Sequence, residues 1–432
     1  MKVRFIYARF ERHADSNPQL LEFVPANEYF GGPSLGIAML AAMTPPHWQV
    51  DFRDDRIEDI GADDDLDLVA ISCFTPSAKR AMQIGDVFRG RGVKVVTGGV
   101  FPTMMPQEMA PHADAVVRGE GEGVWQRVLA DAEAGRLQQL YDARVDPVDP
   151  EKLPAPKIDL YIDKEAGRYR PDDYPIQISR GCPLQCSACV IPEWMGKKIR
   201  HIPVPQVMQQ IDQLAEKGKR ACFTEDTSFF FGSGTQKHFA KVVDALIAEG
   251  RQASVSYIGI SMPLVLITKE SFLKRIREAG IDMFYLVGGF DPITQGAFTG
   301  KDPKSLKRAT EAVNKAHANG IEPYTSFLIG NDNDDEGCFD RILEFANATK
   351  IRKAEFAIRT PYPGTPSWYE LSQANRILHQ DWSKYNDANV VFRPKLMTPE
   401  ALYEGYLYLW RELYRTRGEL RDASYRERTI QF

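Results

Sequence analysis

The sequence predicts an α/β protein in three parts: a doubly wound parallel sheet, a partial β/α barrel and a helical C-terminal extension. Two observations predict it, namely two runs in which short apolar strands alternate with helical stretches, and a proline-rich break between them. Strands that alternate with helices are joined by right-handed crossovers and lie parallel. The 432 residues, 43% of them hydrophobic, suffice for two or three domains. We expect a sheet domain at 1–141, a linker at 142–174, a barrel at 175–372 and a mostly helical extension at 373–432.

The first third of the chain has the pattern of the doubly wound sheet. Apolar runs and helical stretches alternate at Lys2–Tyr7, Leu35–Ala42, Trp48–Phe52, Leu68–Cys73, Ala78–Arg89, Val93–Thr97, Ala115–Val117 and Gly123–Ala134. Such a sheet binds ligands outside the carboxyl ends of its strands. Glycines next to several of these strands would let a large ligand approach the backbone, although each glycine taken singly is better explained by a tight turn.

A break and a second alternation follow. Six prolines and many charges between Asp142 and Pro175 predict a linker that wraps around the protein without regular structure. Beyond it, six strands are predicted at Ile176–Ser179, Arg220–Thr224, Val255–Ile260, Asp282–Val287, Glu322–Ile329 and Lys353–Arg359. Six β/α units are fewer than the eight of a closed barrel, so an open barrel is expected. The helical stretch from Pro399 through Arg417 is expected to pack on it.

Charge and hydropathy exclude some classes of protein. The formal net charge of −5 argues against a protein that coats nucleic acid or an anionic membrane, and no basic, tyrosine-rich face points to nucleic acid. No stretch approaches the roughly 18 apolar residues of a membrane span. The start of the chain runs into a mixed pattern and not into a secretion signal, so we expect a cytoplasmic protein.

Three of the six cysteines are crowded into one loop. Cys182, Cys186 and Cys189 have the spacing C-x3-C-x2-C directly after the first predicted barrel strand, at the face where barrel active sites lie. Closely spaced thiolates suit an iron–sulfur cluster or zinc. Zinc is the minor alternative, because His201 and Cys222 are not at the short spacing that a fourth zinc ligand usually has. Three ligands on a four-iron cube leave one iron open to bind substrate.

The cysteine loop, its position after the first strand and the six β/α units resemble the radical S-adenosylmethionine (SAM) enzymes, whose barrel is a partial TIM barrel. The resemblance implies that the three cysteines bind a 4Fe-4S cluster whose open iron takes the amino and carboxylate groups of SAM. One electron, from a donor such as flavodoxin or ferredoxin, then cleaves SAM to a 5′-deoxyadenosyl radical that abstracts hydrogen from a substrate.

The resemblance also assigns SAM contacts outside the cysteine loop. Glu225 would meet the methionine amino group and Asp291 the ribose, although a helix cap or a solvated loop acid explains either carboxylate equally well. Ser326, Gly330 and Asn331 would lie near the adenine. The residue before the third cysteine is aromatic in many relatives and is Ala188 in this chain, so the adenine contacts are expected to differ.

The N-terminal part resembles the Rossmann-like cobalamin-binding domain that precedes the barrel in one subgroup of the radical SAM enzymes. The resemblance is carried by residues 31–38, 96–103 and 113–122. With residues 360–366 and 381–385, the resemblance covers nearly the whole chain. It implies cobalamin contacts at Gly32, Leu35, Gly98, Gly99, Pro102, Thr103, Gly119 and Glu120. No histidine occurs between His47 and His112, and the position that is often histidine in relatives is Phe101, so a lower imidazole ligand is not expected. A domain that only scaffolds the barrel is the alternative.

The resemblance implies a reaction with two uses of SAM, one to methylate cobalamin and one to generate the radical. C-methylation of an unactivated carbon of a small or medium organic molecule, by way of methylcobalamin, is the first hypothesis. Radical cyclisation, oxidation or rearrangement without methyl transfer, for instance of a tetrapyrrole, is the second. A non-catalytic iron–sulfur or cobalamin-binding sensor is the third.

Overall fold

The computed structural model describes residues 1–23, 33, 35–62, 65–165, 173–184, 186–223, 232–289 and 291–415. These residues form two six-stranded parallel sheets, one after the other along the chain, and one short antiparallel pair. Two of the predicted contact residues, Gly32 and Glu225, lie outside the described residues. No helix in the described part of the chain has the length and the apolar character needed to cross a bilayer.

The N-terminal sheet is doubly wound, as predicted. Its strand order is β2-β1-β3-β4-β5-β6, and the strands are β1 Lys2–Tyr7, β2 Gln49–Asp54, β3 Leu68–Ser72, β4 Lys94–Gly98, β5 Ala115–Arg118 and β6 Leu140–Asp142. The winding direction reverses between β1 and β3, the kind of position at which such sheets bind ligands. The helices of this part are α1 His13–Ser16, α2 Leu35–Met43, α3 Ala78–Gly90, α4 Val100–Met104, α5 Pro106–Met109 and α6 Trp125–Glu133.

The segment predicted to be an irregular linker contains a packed helix, α7 Asp159–Glu165. Tyr161 is buried, its hydroxyl accepts a hydrogen bond from the Ala38 backbone at 2.9 Å, and its ring lies 5.1 Å from that of Phe52. The expectation of no regular structure was therefore wrong for this helix, because a few apolar side chains anchor it to the N-terminal sheet in spite of the surrounding prolines and charges.

The second sheet is the open barrel. All six strands are parallel in the order β14-β13-β12-β11-β10-β7, with bounds β7 Asp173–Pro175, β10 Arg220–Phe223, β11 Val255–Ile260, β12 Met283–Leu286, β13 Glu322–Ile329 and β14 Lys353–Ile358. Five strands agree with the prediction to within one residue at each end. The first lies earlier than predicted, because Ser179–Arg180 (β8) leaves the barrel and pairs antiparallel with Arg200–His201 (β9).

Helices cover the outside of the barrel and leave its inner face as a separate cluster. They are α8 Ile191–Met195, α9 Val204–Glu216, α10 Gly232–Ala248, α11 Met262–Ile267, α12 Glu270–Glu278, α13 Pro292–Ala297, α14 Pro303–Ala318, α15 Cys338–Ala348, α16 Pro366–Gln373 and α17 Pro399–Arg415. Phe327 and Phe356 belong to the core under the helices, whereas Tyr257 and Tyr324 form a small cluster on the inner face. The lumen is therefore lined by its own set of side chains.

The C-terminal extension is only partly helical within the described residues. Residues 374–398 are irregular apart from a single 3-10 turn at Trp382–Lys384 and a bridge between Ile377 and Phe392, and helix α17 follows. Trp382 packs against Phe101 of the N-terminal part, with ring centroids 5.4 Å apart. The extension thus joins the two sheets, and the predicted mostly helical character holds for α17 alone.

Candidate active site

The cysteine loop runs from β8 to β9 and is closed at its base. Gly181 has φ of +81°, and a Cβ at that position would clash with the carbonyl oxygen of Lys198. The Cys182 amide donates to the carbonyl oxygen of Gly196 at 3.1 Å. The two ends of the loop approach each other so closely here that only glycine fits. Gly181 thereby positions the first cysteine, Cys182.

The three thiols lie close enough to affect one another. Cys182 is buried, and Cys186 and Cys189 are partly buried. Burial, followed by the charges of Cys182 and Asp291, raises the pKa of Cys186. Burial raises the pKa of Cys189 to about 11; a hydrogen bond at the Ile191 backbone opposes the shift, and Cys186 and Cys182 add to it. A bound cation would reverse this and hold the thiols as thiolates.

The donor set fits a cluster better than a single ion. Among the described residues, no group of three or more His, Cys, Asp or Glu side chains is placed to hold one metal ion. Thiolates on one zinc ion must converge, because each Zn–S bond is about 2.3 Å long. A four-iron cube puts each thiolate on a different iron, so the thiolates remain farther apart. Three cysteines in one loop suit such a cube, one on each of three irons.

Asp291 lies near the cysteine loop but is engaged as a helix cap. Its carboxylate accepts hydrogen bonds from the backbone amides of Ile293 at 2.9 Å and Thr294 at 3.1 Å, and from the Thr294 hydroxyl at 2.7 Å. Asp291 thus forms the helix cap at the start of α13, which is the alternative to a ribose contact. Its effect on the Cys186 pKa still places Asp291 beside the predicted cluster.

The three residues predicted near the adenine lie along β13 and just beyond its end. Ser326 is buried within β13, opposite Glu355 in the strand register. Gly330 has φ of +89°, and a Cβ there would lie 2.8 Å from a Leu402 methyl group, so packing against α17 requires glycine. The Asn331 side chain donates to the carbonyl oxygen of Leu328 at 3.3 Å and shapes the turn after the strand.

The predicted cobalamin glycines serve backbone packing. Gly99 has φ of +104°, and a Cβ there would lie 2.5 Å from the carbonyl oxygen of Cys73. Gly119 has φ of +85°, and its Cβ would lie 2.7 Å from a side-chain carbon of Arg144. The Thr103 hydroxyl donates to the Gly99 carbonyl at 2.7 Å and accepts from the Gly119 amide at 2.9 Å. The glycine turns are thereby tied together at the carboxyl edge of β4 and β5.

Other predicted cobalamin contacts are enclosed within this domain. Three of them begin or end an element or lie within one: Leu35 begins α2, Gly98 ends β4 and Pro102 lies in α4. Leu35 and Pro102 are buried. Phe101 is fully buried against Trp382. His112 lies in the turn before β5, at the opposite edge of the sheet from Gly98, and contacts Asp86 at 2.9 Å. His112 therefore lies away from the edge where cobalamin is expected.

A buried ion cluster, which sequence reasoning missed, joins the two sheets. Nη1 of Arg180 donates to Glu120 at 3.0 Å and Nη2 to Glu122 at 2.8 Å, while Nη1 of Arg200 donates to the second oxygen of Glu120 at 2.7 Å. We call these four residues the inter-domain clasp. Burial by itself would lower the pKa of Arg180. The charges of Glu122 and Glu120 and their hydrogen bonds have the larger combined effect, so the pKa is raised overall. Both oxygens of the Glu120 side chain are used in the clasp, although Glu120 was predicted as a cobalamin contact.

Further contacts bring the same parts of the chain together. The Trp194 indole, on α8 within the cysteine loop, donates to the carbonyl oxygen of Gly119 at 3.2 Å. The Ser367 amide donates to the carbonyl oxygen of Ser187 at 2.8 Å, and its hydroxyl accepts from Arg359 at 2.8 Å. The cysteine loop therefore lies between the carboxyl edge of the N-terminal sheet and the end of β14.

Comparison with protein families decides the assignment. A family model described as the B12 binding domain matches residues 24–129, and one described as the Radical SAM superfamily matches residues 176–346. The chain belongs to the radical SAM superfamily. Its B12-binding domain places it in the cobalamin-binding subgroup, as the sequence predicted.

Curated relatives and a solved structure agree with this assignment. The chain is 28% identical over 390 residues to the bacteriochlorophyllide d C-12(1)-methyltransferase of Chlorobaculum tepidum, covering 88% of this chain and 82% of the relative. It is 25% identical to the anaerobic magnesium-protoporphyrin IX monomethyl ester cyclase of Cereibacter sphaeroides, covering 81% of this chain and 60% of the relative. The fold is that of the methyltransferase TsrM from Kitasatospora setae, solved with cobalamin and a 4Fe-4S cluster (TM-score 0.64, 14% identity, 86% of this chain, 78% of that one).

These findings confirm the predicted enzyme class and the cofactors at the level of the family. The protein is a radical SAM enzyme of the methyltransferase type, with a 4Fe-4S cluster, SAM and cobalamin as its cofactors. The residues that fit the 4Fe-4S cluster are Cys182, Cys186 and Cys189. The individual SAM and cobalamin contacts remain predictions from the sequence.

Proposed function

We propose that this radical SAM enzyme methylates an unactivated carbon of a small or medium organic molecule. The observation that carries the proposal is the inter-domain clasp, which holds the cysteine loop against the carboxyl edge of the B12-binding domain. When bound, SAM and the cluster supply the radical and a methyl group, and cobalamin supplies the methyl carrier. Methyl transfer to a substrate radical requires both centres to reach the same carbon, and the clasp favours that arrangement.

The residues of this chain would position the reactants and keep water out. Gly181 and the contact between Ser187 and Ser367 fix both sides of the cysteine loop. The indole of Trp194 donates to the carbonyl oxygen of Gly119 and adds a contact between the two parts. A radical intermediate needs this exclusion of solvent, because competing reactions otherwise quench it.

The names of the relatives suggest the first substrate to test. Two of the matched methyltransferases from Chlorobaculum tepidum act, by their names, on bacteriochlorophyllide d at C-12(1) and C-8(2), with 28% identity to this chain in each case. A tetrapyrrole side chain offers unactivated carbons of the kind that radical methylation addresses. We therefore propose a tetrapyrrole as the first candidate substrate, supplied with electrons by a small redox protein such as flavodoxin or ferredoxin. A cytoplasmic location stays a prediction from the sequence.

A radical ring closure without methyl transfer is the second candidate. The cyclase from Cereibacter sphaeroides aligns with this chain over 386 residues, which is 81% of this chain. The same two-part architecture therefore occurs in a relative that is named for a cyclisation and not for a methylation. The products of SAM separate the two reactions. Methylation yields 5′-deoxyadenosine and S-adenosylhomocysteine together, because each methyl transfer uses two SAM molecules, whereas cyclisation yields 5′-deoxyadenosine alone.

The test is anaerobic turnover of the protein reconstituted with iron, sulfide and hydroxocobalamin. Reductant, SAM with a deuterated methyl group, and bacteriochlorophyllide d are added, and the products are measured by mass spectrometry. We expect both SAM products and a substrate heavier by one labelled methyl group. Formation of 5′-deoxyadenosine without S-adenosylhomocysteine would favour cyclisation, and absence of both would overturn the enzyme proposal. Cys186→Ala should abolish both products, while Cys338→Ala, a thiol on the barrel helix α15, should retain them.

A further inference from the structure

The lumen of the half-barrel contains a cavity that solvent reaches. On the inner face of β12, β13 and β14, the residues Tyr285, Leu328, Glu355 and Ala357 remain partly exposed. The outward-facing neighbours on the same strands are at most 3% exposed, at Phe284, Leu286, Phe327, Ile329, Phe356 and Ile358. Other inner-face residues, Met283, Tyr324 and Ser326, are at most 6% exposed, so the open space lies mainly in the half of the lumen near the carboxyl ends of the strands. We call it the lumen cavity.

Glu355 lies at this cavity, and its hydrogen-bond partners among the described residues are neutral. Glu355 accepts hydrogen bonds from the hydroxyls of Tyr285 and of Tyr324, the latter at 3.3 Å. Burial raises its pKa, and hydrogen bonds from Tyr285, Ser326 and Tyr324 oppose the shift. Among the described residues, Lys and Arg form many ion pairs, but none of them is with Glu355.

The rest of the cavity wall is mainly apolar or aromatic. Leu328 and Ala357 line the upper part, and Met283 and Tyr257 belong to the inner cluster below. An apolar cavity with a few converging polar groups is the usual form of a small-molecule site. Glu355 is partly exposed to this space, so a donor group of a ligand can reach its carboxylate.

We propose that the lumen cavity binds the polar end of a ligand and that Glu355 accepts a hydrogen bond from its ammonium or hydroxyl group. Tyr285 and Tyr324 hold the carboxylate in place from two neighbouring strands. A carboxylate without a cationic partner favours a donor, and most strongly a charged one. A ligand carboxylate is excluded, because it would face Glu355 without a compensating charge.

The depth of Glu355 sets the size of the ligand. Glu355 lies four residues before Arg359, which follows the end of β14 and is linked through Ser367 to the cysteine loop. At about 3.3 Å per residue, Glu355 lies about 13 Å below Arg359 along the strand direction. A molecule that reaches both Glu355 and the cysteine loop is therefore of medium size, with its donor group deep in the barrel. That this ligand is the methylated substrate rests on the function proposed above.

Three fluorinated probes of one shape test the chemistry of the site. The whole protein is titrated with 4-fluorobenzylamine, 4-fluorobenzyl alcohol or 4-fluorobenzoate, and binding is followed by fluorine NMR. We expect the ammonium probe to bind most tightly, the alcohol more weakly and the benzoate not at all. Glu355→Gln should weaken the ammonium probe roughly tenfold, because it removes the charge and keeps the shape. Glu344→Gln, an exposed glutamate of α15, should bind as the wild type does.

The outcomes of this titration either support the site or overturn it. Equal affinity of the wild type and Glu355→Gln for the ammonium probe, tighter binding of the benzoate, or no binding of any probe would overturn the proposal. If Glu355→Gln loses its fold, as judged by circular dichroism, Ala357→Leu is used instead, since it fills the cavity and should block both donor probes. The titration needs neither SAM nor reductant, so it can fail while the proposed methylation stands, and the reverse also holds.

Discussion

Arg180 and Glu120 lie 60 positions apart in the chain and form an ion pair of 3.0 Å in which each side chain is at most 5% exposed. Arg180 stands two positions before the first cluster cysteine, and Glu120 follows the last strand predicted for the B12-binding domain. Removing one partner of a buried ion pair leaves the other charge without compensation, at a cost of about 3–5 kcal/mol.

We therefore expect Glu120→Gln to lower the free energy of unfolding by about 3 kcal/mol and to reduce the iron bound after reconstitution. Urea denaturation and iron content provide the two measurements. Lys152→Met, which breaks the exposed pair with Asp149, is the matched control and should change stability by less than about 1 kcal/mol. If Glu120→Gln and Lys152→Met behaved alike, the clasp would not hold the cysteine loop. In the double variant Glu120→Gln/Arg180→Met, part of the loss should be recovered, because one positive and one negative charge, those of Arg200 and Glu122, then remain in the clasp and balance each other.

Gly181→Ala should impair cluster binding more than a glycine substitution elsewhere in the same loop. Gly181 and Gly196 have nearly the same φ, +81° and +82°, but a Cβ at Gly181 clashes with the Lys198 carbonyl, whereas a Cβ at Gly196 meets nothing within 4 Å. Gly196→Ala should thus cost only the backbone strain of its conformation (φ 82°, ψ 170°), about 1–3 kcal/mol. Gly181→Ala should in addition displace Cys182 and lower the iron and sulfide content. Equal iron content in the two variants would show that the crossing at Gly181 does not position the cysteine.

Asp387 makes stability depend on pH in a direction opposite to that of most carboxylates. Burial raises its pKa from 3.8 to about 6, against hydrogen bonds from Tyr362, at 2.9 Å, and Thr360. Because the folded-state pKa is the higher one, the folded chain binds the proton more tightly, and this contribution to stability is lost as pH rises from about 4 to about 6.

Asp387→Asn should therefore raise the free energy of unfolding at pH 7.5 by about 2–3 kcal/mol, and the gain should disappear near pH 4. Asparagine also tolerates the positive φ of 62° at this position. The measurement is urea denaturation of both proteins at several pH values. A difference in stability that stays constant with pH would contradict the predicted titration and leave only the backbone effect.

The agreement between sequence and structure was best where the signal is local. The parallel strands β11 and β13 were predicted without error, because each alternates with a helical stretch on either side. The cysteine spacing was equally clear, since three ligands of one cluster lie within eight residues. Strand β7 was misplaced because its three residues follow a segment of charges and prolines and carry no apolar run of their own.

Contacts between distant segments could not be predicted in the same way. In the sequence, Glu120 lies in a glycine-rich stretch and Arg180 lies two positions before Cys182, but neither position indicates that the two side chains pair. Glu355 in β14 reads as an ordinary polar residue of an alternating strand, and only the fold places it beside Tyr285 and Tyr324. For Asp291 the two alternatives were both local, and the structure shows the helix cap.

Phe101→His should not create a cobalamin ligand, although histidine is common at this position in the family that the sequence resembles. Phe101 is fully buried, with its ring 5.4 Å from that of Trp382, so the new imidazole would lie in the core between the sheet and the C-terminal extension. An imidazole without a hydrogen-bond partner there should cost about 1–3 kcal/mol of stability, in addition to the lost aromatic contact. The reconstituted variant should show the same electron paramagnetic resonance spectrum of cob(II)alamin as the wild type, without splitting from an imidazole nitrogen. Nitrogen splitting that appears only in Phe101→His would show that this side chain can leave its packing against Trp382 and reach the cobalt.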